Sequence, residues 1–266
     1  MSQTPSFTVI VPTHKRALLL RRALSSIRGQ TRADEVEILV ISDATDPATD
    51  AACAELLRPC DLYMRRNGDN GPSESRNLGM RLARGRHVLF LDDDDAWHPQ
   101  LLEQLGPQLA ERPGHAVYFN CSIVKERRLP EGPQQLSEVA LNLAGALTPE
   151  VYVKNQVHMS CFAFPRTLLD GIAFDPTMRA YEDWDWLLGV FDREMPRHVP
   201  VLGSRVFEVP DETTDRRGAS TQANDLNAVY DYLYVYRRHP APTAELKARR
   251  AALMQAHGIP APPAMY

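Results

Sequence analysis

The chain has 266 residues, of which 44% are hydrophobic, and this is enough for one large α/β domain or two small ones with a sizeable core. Its formal net charge of −4 gives no basic surface of the kind that binds nucleic acid. No stretch approaches the ~18 apolar residues of a membrane span, and the amino terminus lacks a signal-peptide pattern. We therefore expect a cytoplasmic protein without a transmembrane segment. Peripheral association with the inner face of the membrane is compatible with this expectation.

The first hundred residues alternate between strand and helix patterns, which is typical of a parallel sheet with crossover helices. Continuous apolar runs predict buried strands, and apolar residues at helical spacing predict helices. We predict strands at 7–11, 37–41, 62–65 and 88–91, and helices at 20–27, 47–57, 73–84 and 99–110. Ser73 is the predicted N-cap of the third helix, which Gly85 is expected to end.

The pattern is weaker beyond residue 110. Segment 127–149 fits no element, whereas we predict strands at 116–124, 159–164 and 199–209 and helices at 181–191, 225–238 and 243–257. The polar segment 211–221 carries Arg216 and Arg217, and we expect it to close as a lid over a charged ligand.

Four consecutive aspartates follow the apolar run Val88–Leu91. Side chains of an extended chain alternate, so we expect Asp92 and Asp94 on one face and Asp93 and Asp95 on the other. Acidic runs are usually solvated, but this one lies between a buried strand and a predicted turn, where several like charges are costly without a cation. Two carboxylates at a strand end suit Mg²⁺ or Mn²⁺, which often bind phosphate oxygens as well. This junction therefore predicts a site for a metal ion and a nucleoside diphosphate.

Two other predicted strands end in residues that can reach the same ligand. Pro12 and Thr13 follow the first strand, and Asp43 follows the second. The carboxyl ends of parallel strands lie along one edge of the sheet, where open α/β sheets bind ligands. Asp43 could accept a hydrogen bond from a base N–H, as uracil offers, or could be a turn residue only. Arg76, near the start of the predicted third helix, could bind a carboxylate or a phosphate at this edge, or could be a solvated helix charge.

The cysteines and histidines do not have the spacing of a zinc site. His158 and Cys161 lie three residues apart, but the chain has no second pair of ligands near them. We expect the cysteines to be reduced structural thiols: Cys53, Cys60, Cys121 and Cys161.

Several of these motifs together resemble the family 2 glycosyltransferases, which have the GT-A fold. The resemblance spans residues 7–190 and rests, in this order, on FTVIVPTHKR, VISDATD, GPSESRNLGMRLARGRHVLFLDDDD and YEDWDWLLG. It implies a Rossmann-like, mostly parallel central sheet flanked by helices, with further helices at the carboxyl terminus. It also implies a catalytic domain at 1–221 and a helical extension of that domain at 222–266. Within the catalytic domain, 1–98 would bind the nucleotide and 99–221 the acceptor.

The same resemblance implies roles for individual residues. Asp94 would bind Mn²⁺ or Mg²⁺, and Asp183, the aspartate of the Glu-Asp pair, would be the catalytic base. The nucleotide-binding residues would be Pro12, Thr13, Arg16, Asp43, Arg76, Asp92 and Asp93.

Without the resemblance, the segment at 182–186 has simpler interpretations. Glu182 and Asp183 are acids in the first turn of a helix, where the helix dipole stabilises them. Trp184 and Trp186 could both be core residues, or one of them could stack on the face of a sugar ring.

The sequence therefore predicts an inverting, metal-dependent glycosyltransferase of the hexosyl or N-acetylhexosaminyl class. It would move a sugar from a nucleotide diphosphate sugar, with UDP favoured through Asp43, to a hydroxyl of a glycan or lipid-linked acceptor in cell-surface polysaccharide biosynthesis. A nucleotidyltransferase is an alternative, although PTHKRALLL lacks the glycine-rich loop that would hold a triphosphate. A non-catalytic sugar-nucleotide-binding subunit of a polysaccharide assembly complex is another.

Overall fold

The structure is a computed structural model that describes residues 4–68, 71–129, 132–210, 226–256, 258–259 and 262–266. Within these residues the strands form one sheet, flanked by helices. The strands are β1 (Phe7–Thr13), β2 (Val36–Ser42), β3 (Leu62–Arg65), β4 (His87–Phe90), β5 (Ala96–Trp97), β6 (Val117–Leu129), β7 (Gly132–Leu141), β8 (Phe162–Pro165) and β9 (Arg197–Glu208). Their order across the sheet is β3-β2-β1-β4-β8-β6-β9-β5, with β7 beside β6.

The helices confirm most of the predicted ones, with ends that shift by a few residues. They are α1 (Ala17–Arg28), α2 (Pro47–Leu56), α3 (Pro72–Leu82), α4 (Leu101–Ala110), α5 (Glu182–Phe191), α6 (Leu226–Arg238) and α7 (Ala244–Ala256). The predicted lid at 211–221 lies outside the described residues.

The first half of the sheet is parallel, as predicted. β1 pairs with β2 on one side and with β4 on the other, and β3 extends the sheet beyond β2. Every residue of β1 and β2 is buried, which explains their continuous apolar runs. In this register Thr13 lies opposite Ser42, so the ends of β1 and β2 meet at one edge of the sheet.

The second half of the sheet has mixed strand directions. β8 runs antiparallel to both β4 and β6, whereas β9 runs parallel to β6. Segment 127–149, which fitted no predicted element, contains the end of β6 and all of β7, and these two strands form an antiparallel hairpin. Nine of the ten residues of β7 are exposed, so no buried face imposes the alternation by which strands are recognised.

The start of α3 differs from the prediction. Gly71, with φ of 150°, is the N-cap and Pro72 is the first helical residue, so Ser73 lies inside the helix. This position suits Pro72, because the first helical N–H has no partner within the helix and proline has none to satisfy. The helix ends at Leu82, and Gly85 lies against β1. A Cβ on Gly85 would lie 2.5 Å from the backbone nitrogen of Thr8, so the close approach requires glycine.

The carboxyl-terminal helix α6 packs against α5, and α7 packs against the 149–152 segment. The ring centroids of Trp184 on α5 and Tyr232 on α6 are 4.8 Å apart. Arg250 on α7 is fully buried and donates hydrogen bonds to the carbonyl oxygens of Tyr152 and His239. Among the described residues, every helix is too short or too polar to cross a membrane.

Candidate active site

A cleft of about 560 Å³ lies at the carboxyl edge of the parallel strands. The structure brings together there all the site residues that the sequence predicts: Pro12, Thr13, Arg16, Asp43, Arg76, Asp92, Asp93, Asp94 and Asp183. Residues without a predicted role also line it, among them His14, His158 and Glu182.

The aspartate run forms a turn and does not continue the strand. β4 ends at Phe90, and the N–H of Asp95 donates to the carbonyl oxygen of Asp92 at 3.0 Å. The extended backbone assumed for the run is therefore wrong, although burial still alternates, with Asp92 and Asp94 half-buried and Asp93 and Asp95 buried. The turn instead brings Asp92 and Asp95 together, while Asp93 and Asp95 are the more buried members of the run.

Asp92 and Asp95 form a possible metal centre with His158. One ligand atom from each of these three residues lies within 4.8 Å of the other two. The N–H of Phe207 and the hydroxyl of Ser160 donate to Asp95 at 3.1 and 3.2 Å, which fixes its carboxylate. Carboxylate oxygens are ligands of Mg²⁺ and Mn²⁺, and imidazole is a common metal ligand, so this donor set fits a divalent cation.

Burial and the charges of its own members set the pKa values of this centre. Burial raises the pKa of Asp95 to about 7, and His158 only partly opposes this shift. Burial also acts to lower the pKa of His158, but the carboxylates of Asp95 and Asp92 outweigh it, so this pKa is raised. A divalent cation would favour the charged form of the acids and the neutral form of the imidazole.

Asp94 points to a different set of partners. Its Oδ2 lies 2.8 Å from Nη1 of Arg16 and 3.0 Å from Nη2 of Arg128. Asp93 accepts a hydrogen bond from the hydroxyl of Thr13 at 2.7 Å and lies 3.3 Å from Arg16. Burial raises the pKa of Asp93 to about 7, and Arg16 opposes this shift. The metal-binding role of Asp94 stays a prediction, since its carboxylate is here held by two guanidinium groups.

Arg76 connects the two halves of the cleft. It is 4% exposed, and its guanidinium donates to Asp92 at 2.7 Å and to Glu182 at 2.9 Å. Burial disfavours the charge of Asp92, but Arg76, His158 and Arg16 together outweigh it, and the pKa of Asp92 is lowered. Burial raises the pKa of Glu182, which Arg76 opposes. The arginine thus ties the end of β4 to the start of α5, and the prediction that it reaches this edge and binds a carboxylate is confirmed.

Asp43 is buried at the end of β2. Its Oδ1 lies 2.5 Å from Nδ1 of His14, and its Oδ2 accepts a hydrogen bond from the N–H of Gly71 at 2.7 Å. Burial raises the pKa of Asp43, against the hydrogen bond from Gly71. The residue therefore joins the loops that follow β1 and β2 to the start of α3. Its carboxylate oxygens are hydrogen-bond acceptors that line the cleft.

Two of the three acids in the first turn of α5 have cationic or imidazole partners. Glu182 is held by Arg76. Asp185 is buried, with Nε2 of His239 at 3.0 Å and Nη1 of Arg238 at 3.1 Å. Both carboxylates are therefore committed to contacts that hold the helix in place.

Asp183 differs from these neighbours. Its carboxylate accepts a hydrogen bond from the N–H of Trp184 at 2.7 Å and one from the side-chain amide of Asn155 at 3.3 Å. Within the part of the chain that the structure describes, it forms no ion pair. Asp183 is thus a half-buried carboxylate that has only neutral hydrogen-bond donors among the described residues and that lines the cleft at the amino terminus of α5.

The two tryptophans of this helix are core residues. Trp184 and Trp186 are 0% and 1% exposed. The indole N–H of Trp184 donates to the carbonyl oxygen of Val151 at 2.7 Å, and Trp186 stacks on Phe174 with centroids 4.7 Å apart. The interpretation that one of them stacks on a sugar is therefore wrong, because α5 turns both rings away from the cleft.

Sequence reasoning missed His158 and Asn155 as neighbours of the acids. Each is a single residue in a stretch without a recognisable motif. His158 lies 63 residues after Asp95, and Asn155 lies 28 residues before Asp183. Only the packing of the 155–161 segment against β9 and α5 brings them to the cleft.

The family model of glycosyl transferase family 2 matches residues 8–168, which is more than half of the chain. The chain belongs to this family. The predicted family is thus confirmed, and with it glycosyltransferase activity as the class of reaction.

Curated relatives agree with this assignment. The chain is 25% identical over 248 residues to an uncharacterized glycosyltransferase of Haemophilus influenzae, and the match covers 90% of the chain and 78% of that protein. It is 29% identical to the GalNAc(5)-diNAcBac-PP-undecaprenol beta-1,3-glucosyltransferase of Campylobacter jejuni, with 69% of the chain and 59% of that protein covered. It is 31% identical to the succinoglycan biosynthesis protein ExoW of Rhizobium meliloti, with 66% and 60% covered. The chain thus spans about three fifths of the length of the last two.

Solved structures confirm the predicted GT-A fold. The S. aureus TarS fragment 1–349 in complex with UDP-GlcNAc superposes with a TM-score of 0.68 at 17% identity, and the match covers 94% of this chain and 72% of that one. The mannosyltransferase PcManGT of Pyrobaculum calidifontis, in complex with GDP-Man and Mn²⁺, gives a TM-score of 0.54 at 21% identity, with 99% and 78% covered.

Proposed function

We propose that this chain is an inverting, metal-dependent glycosyltransferase that moves a sugar from a UDP-sugar to a hydroxyl of a glycan or lipid-linked acceptor. One observation carries the proposal: the possible metal centre and Asp183, an acid without an ion pair among the described residues, line the same cleft. A cation site and a proton acceptor are the two groups that transfer from a nucleoside diphosphate sugar requires.

The donor nucleotide would lie between the ends of β1 and β2. Pro12, Thr13 and His14 line this part of the cleft, and Asp43 offers an acceptor for a base N–H. Asp92 lies farther along the same edge, where it would bind the ribose. Uridine is favoured because uracil offers such an N–H, and because TarS, which has the same fold, was solved with UDP and with UDP-GlcNAc.

The metal site would be formed by Asp92, Asp95 and His158, with Mn²⁺ or Mg²⁺ as the ion. Asp94 is the alternative ligand, and its Oδ2 is held by Arg16 and Arg128. When bound, the cation would neutralise negative charge on the departing diphosphate. Arg16 could assist from the other side of the aspartate turn, because its guanidinium lines the cleft.

Asp183 would be the catalytic base. It would remove the proton of the acceptor hydroxyl as that oxygen attacks the anomeric carbon from the face opposite the diphosphate, which inverts the configuration. Glu182 and Asp185 are less suited to this task, since Glu182 is held by Arg76 and Asp185 is held by Arg238 and His239.

The names of the relatives suggest the acceptor and the sugar. One acts on an undecaprenyl-diphosphate-linked oligosaccharide as a glucosyltransferase, and another belongs to succinoglycan biosynthesis. We therefore propose a hexosyl or N-acetylhexosaminyl donor and a surface-polysaccharide acceptor. A polyprenol-linked acceptor resides in a membrane, so the enzyme would act at the cytoplasmic membrane surface.

The test is the release of UDP from UDP-glucose and UDP-GlcNAc in the presence of Mn²⁺, with and without a polyprenyl-diphosphate-linked GalNAc acceptor. A transferase releases UDP slowly alone and faster with the acceptor, which gains one sugar. Release of pyrophosphate from a nucleoside triphosphate would favour a nucleotidyltransferase. Binding of UDP without any product would favour a non-catalytic subunit.

A further inference from the structure

The turn that precedes the proposed base is held by a residue of α6. Oδ2 of Asp231 accepts hydrogen bonds from two consecutive backbone N–H groups, that of Arg179 at 2.8 Å and that of Ala180 at 2.9 Å. Asp231 is 51 residues beyond Ala180 in the chain, so this contact joins the carboxyl-terminal extension to the acceptor side of the cleft. Hydrogen bonds from backbone N–H groups to a carboxylate are among the stronger ones in proteins.

The residue after this turn has a strained backbone. Tyr181, the N-cap of α5, has φ of 61°, which is uncommon for a residue other than glycine. Its ring packs edge-on against Tyr232 of α6, with centroids 4.8 Å apart. Such a conformation persists only where its surroundings impose it, and here α6 supplies both the ring contact and the Asp231 carboxylate one residue away.

Asp183 lies two residues after Tyr181, so the conformation of the turn sets its position. α6 also reaches the other neighbour of this carboxylate, because Tyr232 and Tyr236 both donate hydroxyl hydrogen bonds to the carbonyl oxygen of Val153 at 2.8 Å. Val153 lies two residues before Asn155, whose side-chain amide contacts Asp183.

We infer that Asp231 is a positioning residue for the Asp183 carboxylate, and that α6 is therefore part of the active-site architecture and not an accessory element. This inference rests on the proposed function, because it assumes that Asp183 is the base. Arg76 fixes the first turn of α5 from the nucleotide side through Glu182, and Asp231 fixes the preceding turn from the opposite side.

The test compares Asp231→Ala and Asp231→Asn with the wild-type chain in steady-state sugar transfer. Asp231→Ala leaves two backbone N–H groups without their acceptor, and a displaced base lowers turnover, so we expect kcat to fall by about 10- to 100-fold. The KM for the UDP-sugar should change less than about two-fold, because the donor side of the cleft is untouched. Asp231→Asn keeps an oxygen at this position and should restore kcat to within about five-fold of wild type.

Tyr234→Phe is the matched control on the same helix. It removes the hydroxyl hydrogen bond to Asp175 at 3.0 Å and leaves the contacts of Asp231 intact. We expect its kcat to stay within about two-fold of wild type. A loss of turnover in Tyr234→Phe equal to that in Asp231→Ala would mean that α6 only stabilises the fold, and would overturn the inference.

Hydrogen exchange supplies a readout that does not depend on activity. We expect peptides covering 179–183 to exchange faster in Asp231→Ala than in wild type, Asp231→Asn or Tyr234→Phe. Unchanged exchange there, or unchanged kcat in Asp231→Ala, would refute the positioning role. Failure of the proposed function is distinct: the wild-type chain would then transfer no sugar, while the exchange comparison would still decide whether Asp231 holds the turn.

Discussion

The acids that follow β4 and Asp183 of α5 line the same cleft but have different partners. Asp92 and Asp94 are each in contact with at least one arginine, and Asp95 contacts His158. Asp183 contacts only neutral donors among the described residues. Carboxylates of one cleft can therefore serve different purposes, because charged partners hold the acids after β4 in place, whereas Asp183 can contact a substrate without breaking an ion pair of the described residues.

Replacement of the base should have the largest effect. Asp183→Asn keeps nearly the same volume but cannot accept the proton, so we expect kcat to fall by about 10²- to 10⁴-fold with little change in UDP affinity. Steady-state transfer kinetics and calorimetry with UDP measure the two quantities. Glu182→Gln is the comparison variant, since it retains a hydrogen-bond acceptor for Arg76. If Asp183→Asn were nearly as active as wild type and Glu182→Gln were not, the base would be Glu182.

Replacement of Arg76 should cause the largest loss of stability. Arg76→Met removes a buried cation from the half-buried carboxylates of Asp92 and Glu182, and breaking a buried ion pair in this way costs about 3–5 kcal/mol in the free energy of unfolding. Urea denaturation measures the change. Arg81→Met, at an exposed position on the same helix, should stay within about 0.5 kcal/mol of wild type. If the two variants lost the same stability, the ion pairs of Arg76 with Asp92 and Glu182 would contribute little to the free energy of unfolding.

Metal removal should show that the aspartates after β4, and not the acids of α5, are responsible for the Mn²⁺ dependence of UDP binding. UDP at 100 times its dissociation constant stabilises a protein by about 2.7 kcal/mol. We expect most of this stabilisation when UDP is added with Mn²⁺ and little of it when UDP is added with EDTA. Thermal shift measurements should show the same loss for Asp95→Ala, whereas Asp183→Asn should retain the Mn²⁺-dependent part.

Asp94→Ala distinguishes the two possible ligand sets. If Asp94 is held by Arg16 and Arg128 and does not bind the ion, this variant keeps the Mn²⁺ dependence of UDP binding. Equal UDP affinity in Mn²⁺ and EDTA for the wild-type chain would contradict metal dependence altogether.

The smallest expected effect concerns base selectivity. Asp43→Ala removes a buried acceptor for the base N–H, so the preference for UDP over other nucleoside diphosphates should narrow by roughly 1–3 kcal/mol in calorimetry. Asp46→Ala, which removes the N-cap of α2 in the same loop, should cost about 1 kcal/mol of stability but leave selectivity unchanged. Unaltered selectivity in Asp43→Ala would mean that this carboxylate only joins the loops.

The predictable part of the fold is the part where local pattern and burial coincide. β1 and β2 are buried along their whole length, so their apolar runs could be recognised without knowledge of the fold. The hairpin of β6 and β7 could not be, because β7 is almost entirely exposed and its pairing depends on the end of β6. Ser73 was an incorrect N-cap for a similar reason, since the adjacent Gly71 adopts a backbone conformation that the sequence does not specify.

The candidate site divides along the same line. Arg76, Asp43 and the aspartate run stand in motifs directly after strands or at a helix start, so their position at one edge followed from the topology of a parallel sheet. His158 and Asp231 stand in no motif, and long-range packing alone brings them to the acids.

The sequence by itself determined the family, the parallel half of the sheet and the edge at which the acids lie, because these depend on local periodicity and on motifs in a fixed order. The tertiary structure decided which acids share a cation site and which acid keeps only neutral partners. That decision depends on a turn closed between Asp92 and Asp95 and on partners far away in the chain, because His158 lies 63 residues after Asp95 and Arg76 lies 106 residues before Glu182.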